Sequence, residues 1–178
     1  GVLYLRKGVP FVTQQHGGGQ ERQRRAGTEN VAGIAGAAEA LRITQEGVLS
    51  EGGRIRALAL RLREAILARV PGAELNGDPD ARLANNVSIS FVGADARDLV
   101  DGLDAAGIAC SAGAACGATT VEPSHVLLAM GLPLERAVST LRFSLGHETT
   151  DADIAAVADR LPAIVASSRE ARLVAAGG

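Results

Sequence analysis

A single lysine, Lys7, stands in the 178 residues of this sequence, beside no tryptophan, one tyrosine, one methionine and two cysteines. Aromatic residues make up only 2% of the chain, too few to build the stacking platforms that hold single-stranded nucleic acid. The formal net charge of −2 argues the same way, because binding through phosphate contacts needs a basic surface. No apolar run approaches the ~20 residues that a membrane-spanning helix requires. The opening residues, Gly1-Val2-Leu3-Tyr4-Leu5-Arg6-Lys7, are too short and wrongly charged for a secretory signal. Cys110 and Cys116, six positions apart, make a poor disulfide framework and favour a reducing, cytosolic compartment. Neither a membrane nor a nucleic acid is expected as a direct partner.

The residues present are those of an ordinary globular protein, 47% hydrophobic and 21% charged, long enough to bury a core. The chain opens without methionine on an apolar run and reads as a piece of a longer protein. Residues 2–5 and 9–13 have the look of short strands. Val31, Ile34, Ala38 and Leu41 recur at helical spacing, predicting a helix over about 29–45 with Thr28 placed to cap it. Ile55, Leu58, Leu62, Ile66 and Val70 predict a second helix, ended by Pro71-Gly72, that links two subdomains.

Strands and helices then mix. Residues 73–75 suggest an edge strand closed by the turn Asn76-Gly77-Asp78-Pro79. Val87, Ile89 and Phe91 alternate with serines, and Leu141, Phe143 and Leu145 do the same around Thr140, Arg142 and Ser144. Helices are predicted around Leu99 and Leu103, ending near Gly107, and over 123–130. Residues 108–110 suggest a short strand. Thr150 and Asp153 resemble a capping box for a last helix that Pro162 should kink or shorten, with a frayed tail from Ser167. The reading is a helical segment followed by an α+β subdomain.

Residues 110–124 stand apart from this core pattern. Cys116 lies in a run of glycine, alanine and threonine that ends where Pro123 can open a helix. Small side chains bury little surface to offset ordering entropy, so a thiol carried there is free to travel. A buried free cysteine is otherwise a small hydrophobe, and Cys110, at the end of Gly107-Ile108-Ala109, fits that description.

Three blocks of sequence carry a resemblance. Ser111-Ala112-Gly113-Ala114-Ala115-Cys116, followed after four small or hydroxyl residues and one apolar residue by Glu122-Pro123-Ser124-His125-Val126-Leu127, resembles the catalytic loop of the group I cysteine desulfurases. Thr140-Leu141-Arg142-Phe143-Ser144-Leu145-Gly146 resembles the next motif of that family. His16-Gly17-Gly18-Gly19-Gln20-Glu21-Arg22, continued by Arg25-Ala26-Gly27-Thr28-Glu29-Asn30, resembles the one before both. The order is the family's and the blocks span nearly the whole chain. Alanines at 114 and 115 and Gly117 stand where hydroxyl residues are common.

The resemblance implies an α/β fold of the class V aminotransferase group. Residues 1–50 would be the C-terminal end of the large domain of a fold-type I transferase dependent on pyridoxal phosphate. Residues 51–178 would be its α+β small domain, with the linking helix and the cysteine loop. It implies conversion of L-cysteine to alanine, with the sulfur left as a persulfide on Cys116 and passed to an acceptor or scaffold protein for iron–sulfur cluster assembly or tRNA thiolation. Arg142 would hold the substrate carboxylate, a task suited to a planar guanidinium. Thr28 would reach the cofactor phosphate of the partner subunit, so the active unit would be a homodimer. The family's cofactor-binding lysine belongs to a motif upstream of Gly1, and Lys7 does not match it. A non-catalytic remnant of the fold, or a related enzyme such as a selenocysteine lyase, remains open.

Two other chemistries are excluded by spacing. The His16 glycine run would suit an esterase oxyanion hole, but the nearest match to a nucleophile elbow, Ala109-Cys110-Ser111-Ala112-Gly113, lacks its first glycine. Cys110, Cys116, His16, His125 and His147 have no metal-ligand spacing.

Overall fold

The computed structural model describes residues 1–112 and 123–176, together with every side chain in those ranges but those of Leu49 and Ala176. It divides into two compact units, Gly1–Leu49 and Ser50–Gly178. In chain order the elements are α1 (Gln20–Gln23), α2 (Val31–Arg69), β1 (Ala73–Leu75), β2 (Asn86–Phe91), α3 (Ala96–Ala105), β3 (Ser111–Ala112), α4 (His125–Ala129), α5 (Leu134–Val138), β4 (Thr140–Ser144) and α6 (Asp151–Ala176). No helix among the described residues is long and apolar enough to cross a membrane.

The two helices read from the sequence between 29 and 70 are one element, the 39-residue α2. Gly47, Gly52 and Gly53 each cost roughly 1 kcal/mol against alanine in a helix, but none removes a backbone donor as proline would. The first unit holds no strand at 2–5 or 9–13, and none of its described side chains is buried. Strand structure needs a partner backbone as well as an alternating sequence.

The second unit holds the core. Its sheet is antiparallel throughout, in the order β1-β2-β4-β3. One face carries Val87, Ile89, Phe91, Leu141 and Phe143, packed against Leu58, Leu62 and Ile66 of α2, Leu99 and Leu103 of α3, and Val157, Leu161 and Val165 of α6. Each large side chain buried there is worth roughly 1.5–3 kcal/mol relative to exposure.

The other face is polar, but its upper end is closed. Thr140 and Ser90 are almost fully buried, and Asn76 nearly so. Asn76 accepts from Ser90 Oγ at 2.9 Å and from Arg136 Nη2 at 2.8 Å, while Thr140 Oγ1 donates to the Arg136 carbonyl at 2.7 Å. Arg136 belongs to α5, an element that the hydrophobic pattern did not reveal, and its Nη1 pairs with Glu74 at 2.9 Å. The Asn76, Ser90 and Thr140 side chains are thereby satisfied, as burial demands, while Arg136 Nε meets no acceptor among the described residues.

The last helix departs most from expectation. Pro162 lies inside α6 without shortening it, and the helix reaches Ala176. Tethers hold the part expected to fray. The buried Ser168 donates to Asp98 at 2.8 Å and accepts from the Asp95 amide at 3.0 Å; Arg169 donates to the carbonyls of Val92 (3.0 Å) and Pro71 (2.8 Å). At its start the capping box is reciprocal. The Thr150 amide donates to Asp153 at 2.8 Å and the Asp153 amide to Thr150 Oγ1 at 3.3 Å, which holds the Asp153 carboxyl below its ordinary range.

Leu141 is fully buried and Leu67 is 40% exposed, so the two should respond differently to truncation. Leu141→Ala is expected to cost about 2–5 kcal/mol in urea unfolding and Leu67→Ala under about 1 kcal/mol. Equal losses would contradict this assignment of the core.

Candidate functional site

The polar sheet face becomes a site where α5 stops covering it. Arg142 is the middle residue of β4, exposed, with Ser88 of β2 and Ser111 of β3 as its register partners on either side. Its guanidinium has no hydrogen-bond or ion-pair partner among the described residues. A free guanidinium flanked by two serines is suited to holding a carboxylate through parallel hydrogen bonds.

The route into β3 is set by the end of α3. Gly107 has φ +75°, the left-handed conformation that ends a helix, and its amide donates to Asp104 at 2.8 Å while the Ile108 amide donates to Leu103 at 2.9 Å. This pair of bonds is a Schellman cap. It turns the chain so that Ile108 and Cys110 pack on the core and Ser111 arrives beside Arg142. The strand expected at 108–110 is therefore Ser111–Ala112 instead, because the cap occupies Gly107 and Ile108.

Cys110 is half-buried. Burial first, and the charge of Asp104 second, push its thiol up to about 11. A thiol held so high is poor as a nucleophile at neutral pH. Cys116 lies outside the described residues, five positions along the chain from Ser111. Past it, Ser124 caps α4 by accepting from the Leu127 amide at 3.5 Å, so the helix begins at His125 and not at Pro123.

Thr28 belongs to the first unit and is exposed. It does not cap α2. Asn30 does, its Oδ1 accepting from the Gly33 amide at 2.9 Å and its carbonyl from the Ile34 amide at 2.9 Å. An asparagine two residues nearer the helix competes better for the first free amides. The stretch before Thr28 is strained: Glu21, Arg22 and Gln23 have φ of 49°, 58° and 64°. Three successive non-glycine residues in left-handed conformation cost roughly 1–2 kcal/mol each. The loop is closed by the Ala26 amide donating to Gln15 at 3.2 Å and by Arg25 Nε donating to the Gln15 side chain at 3.0 Å. Gly17 (φ +149°) permits this closure, since a Cβ there would lie 2.9 Å from that of Ala26.

The aminotransferase class-V pattern matches residues 6–157. The chain belongs to the class-V aminotransferase family. Among its relatives, the cysteine desulfurase IscS of Clostridium botulinum (strain Hall) is 45% identical over 96% of this chain and 43% of its own length. The IscS-like cysteine desulfurase of Mycobacterium tuberculosis is 46% identical over 99% of this chain and 45% of its own. A solved NifS-like protein superposes with a TM-score of 0.76 at 32% identity, covering 92% of this chain and 41% of that one. The NifS-like protein of Rickettsia africae gives 0.72 at 33% identity, over 86% and 39%. The chain spans less than half the length of these class-V relatives.

The sequence singled out Arg142, Cys116 and Thr28, but not what surrounds Arg142. Asn76 reads as a turn residue and Ser90 as the polar side of a half-exposed strand, whereas both are buried under α5. The signal was there in Ser88 and Ser90 standing opposite Arg142 and Thr140, legible only once the register is known.

Thiolate content falls tenfold for each unit that a pKa rises above pH. Moving Cys110 from 9.0 to about 11 should therefore slow its alkylation at pH 8 by about a hundredfold relative to a free cysteine. Iodoacetamide labelling followed by mass mapping would measure this. Cys110 labelling as fast as a model peptide would contradict the packing described.

Proposed function

We propose that this chain is the C-terminal part of a pyridoxal-phosphate-dependent cysteine desulfurase, with residues 1–50 closing the large domain and residues 51–178 forming the small domain. The observation that carries the reading is the free guanidinium of Arg142 in register with Ser111, on the strand that leads into the Cys116 segment. Substrate anchor and sulfur acceptor are thereby tied to adjacent strands of one sheet.

The residues present suit one end of the cofactor and not the other. An exposed threonine hydroxyl at Thr28, the positive end of α2 and the arginines at 24 and 25 favour a phosphate group. Lys7, the only lysine, is exposed in the turn closed by the Val9 amide and the Arg6 carbonyl, and does not suit the covalent end, where a desolvated amine is needed. When bound, the cofactor withdraws electrons from the substrate so that its C–S bond weakens.

The chain's own residues do the rest. Arg142 holds the substrate carboxylate and fixes which face the sulfur presents. The Cys116 thiolate attacks that sulfur; an S–S bond forms, the C–S bond breaks with its electrons going to carbon, and a proton there completes alanine. The product at Cys116 is a persulfide: the two sulfurs together give up two electrons, the carbon takes them, and the proton lost by the Cys116 thiol balances the one added to carbon. Cys110, packed and high in pKa, takes no part. Thr28 would serve the cofactor of a partner subunit, making the working unit a homodimer. The persulfide would pass to an acceptor protein for iron–sulfur assembly or tRNA thiolation in the cytoplasm.

In a protein carrying this chain together with the cofactor-binding lysine, Arg142→Ala should weaken substrate binding by about one to two powers of ten, the worth of a charge-assisted pair. Cys116→Ser should abolish the persulfide while leaving the cofactor bound. Alanine release and mass detection of the persulfide measure both. A persulfide on Cys110, normal turnover of Cys116→Ser, or a change under threefold for Arg142→Ala would each overturn the assignment concerned.

A further inference from the structure

Asn76 sets the direction of the hydrogen bonds on the polar sheet face. Arg136 can only donate, so the Asn76 side-chain atom that meets its Nη2 at 2.8 Å is the oxygen. That oxygen also accepts from Ser90 Oγ at 2.9 Å. The amide nitrogen therefore faces the other way, and its two protons go to Thr140 Oγ1 at 3.2 Å and to Ser88 Oγ at 3.4 Å. With two bonds accepted and two donated, the Asn76 side chain is fully used and has no place for a proton from Ser88.

Ser88 is left with a proton to give. Its oxygen receives from Asn76, and its O–H has no acceptor among the described residues. The Asn76 amide donates to the Ser88 carbonyl at 2.9 Å, which continues the β1–β2 pairing by one residue. Asn76, Ser88, Arg142 and Ser111 thus stand in one row across the sheet, and directly opposed residues of antiparallel strands share a face. Ser88 is half-buried, with Asn76 on one side and the exposed Arg142 on the other. A guanidinium cannot accept a hydrogen bond, so Ser88 and Arg142 are two adjacent donors with no acceptor between them. A carboxylate held by two parallel bonds from an arginine still has outer lone pairs free for a third donor.

We infer that Ser88 is a second substrate-binding residue, donating its hydroxyl proton to the carboxylate that Arg142 holds. This role rests on Arg142 being the substrate anchor, and it adds a neutral donor whose direction is fixed by Asn76, itself held by Arg136. Ser111, on the far side of Arg142, has no side-chain hydrogen bond among the described residues to orient it, and is not given this role.

The test uses the longer protein that carries this chain and the cofactor-binding lysine, and reads the dissociation constant of L-alanine, the reaction product, by calorimetry. Threonine keeps the hydroxyl, valine has the same shape without it, and both suit a strand. Ser88→Thr is expected to bind within about twofold of the unsubstituted protein. Ser88→Val is expected to bind about tenfold more weakly, the worth of one hydrogen bond to a charged group. Ser88→Ala should match it, and takes its place if valine disturbs the fold. In an Arg142→Ala background, losing the Ser88 hydroxyl should change affinity less than about threefold, because the carboxylate it serves is no longer held. Equal losses in Ser88→Thr and Ser88→Val, a full tenfold loss in the Arg142→Ala background, or no loss without the hydroxyl beside a large loss in Arg142→Ala would each overturn the role of Ser88 and leave Arg142 as the anchor. No loss in Arg142→Ala would overturn both.

Discussion

The β2–β4 pairing is the constraint on which the rest of the second unit depends. It sets Val87 against Phe143 and Ile89 against Leu141, and because side chains alternate, it also fixes Ser88 against Arg142 and Ser90 against Thr140. The first pairs make a core with α2, α3 and α6. The second pairs make a polar face that α5 buries at one end and leaves open at the other. A slip of one residue would send Arg142 into the core and Phe143 into water, so the energy of the apolar face holds the position of the charged group.

The Schellman cap after α3 is the second determinant. A left-handed residue at Gly107 lets the chain reverse, and two backbone bonds fix the exit direction toward β3. Cys110 and Arg142 are thereby separated in character though close in the fold: one sits against the core with its proton tightly held, the other lies free on the opposite face.

Periodicity made much of this legible. The alternation of Val87, Ile89 and Phe91, the glycine after α3 and the Thr150–Asp153 pair all appear in the structure as read, because each is a local rule with a local cause. What escaped depended on distant partners. Pro162 does not end α6, since Ser168 and Arg169 find Asp98, Val92 and Pro71 far away in sequence. Asn30 outcompeted Thr28 for the helix start because both residue types cap and only geometry decides between them. The apolar runs at 2–5 and 9–13 carry strand character but no paired backbone. The short α5 was hidden, and with it the burial of Asn76 and Ser90. Of the candidate site, the residue types were readable and the neighbourhood of Arg142 was not.

The central claim is that Arg142 anchors a substrate carboxylate beside the strand that leads to Cys116. A crystal structure of the longer protein that carries this chain, soaked with an unreactive amino-acid analogue of cysteine, tests it most directly. The account predicts the carboxylate paired with the Arg142 guanidinium through two hydrogen bonds, between the register positions of Ser88 and Ser111. A carboxylate bound elsewhere, with Arg142 still facing solvent, would contradict it.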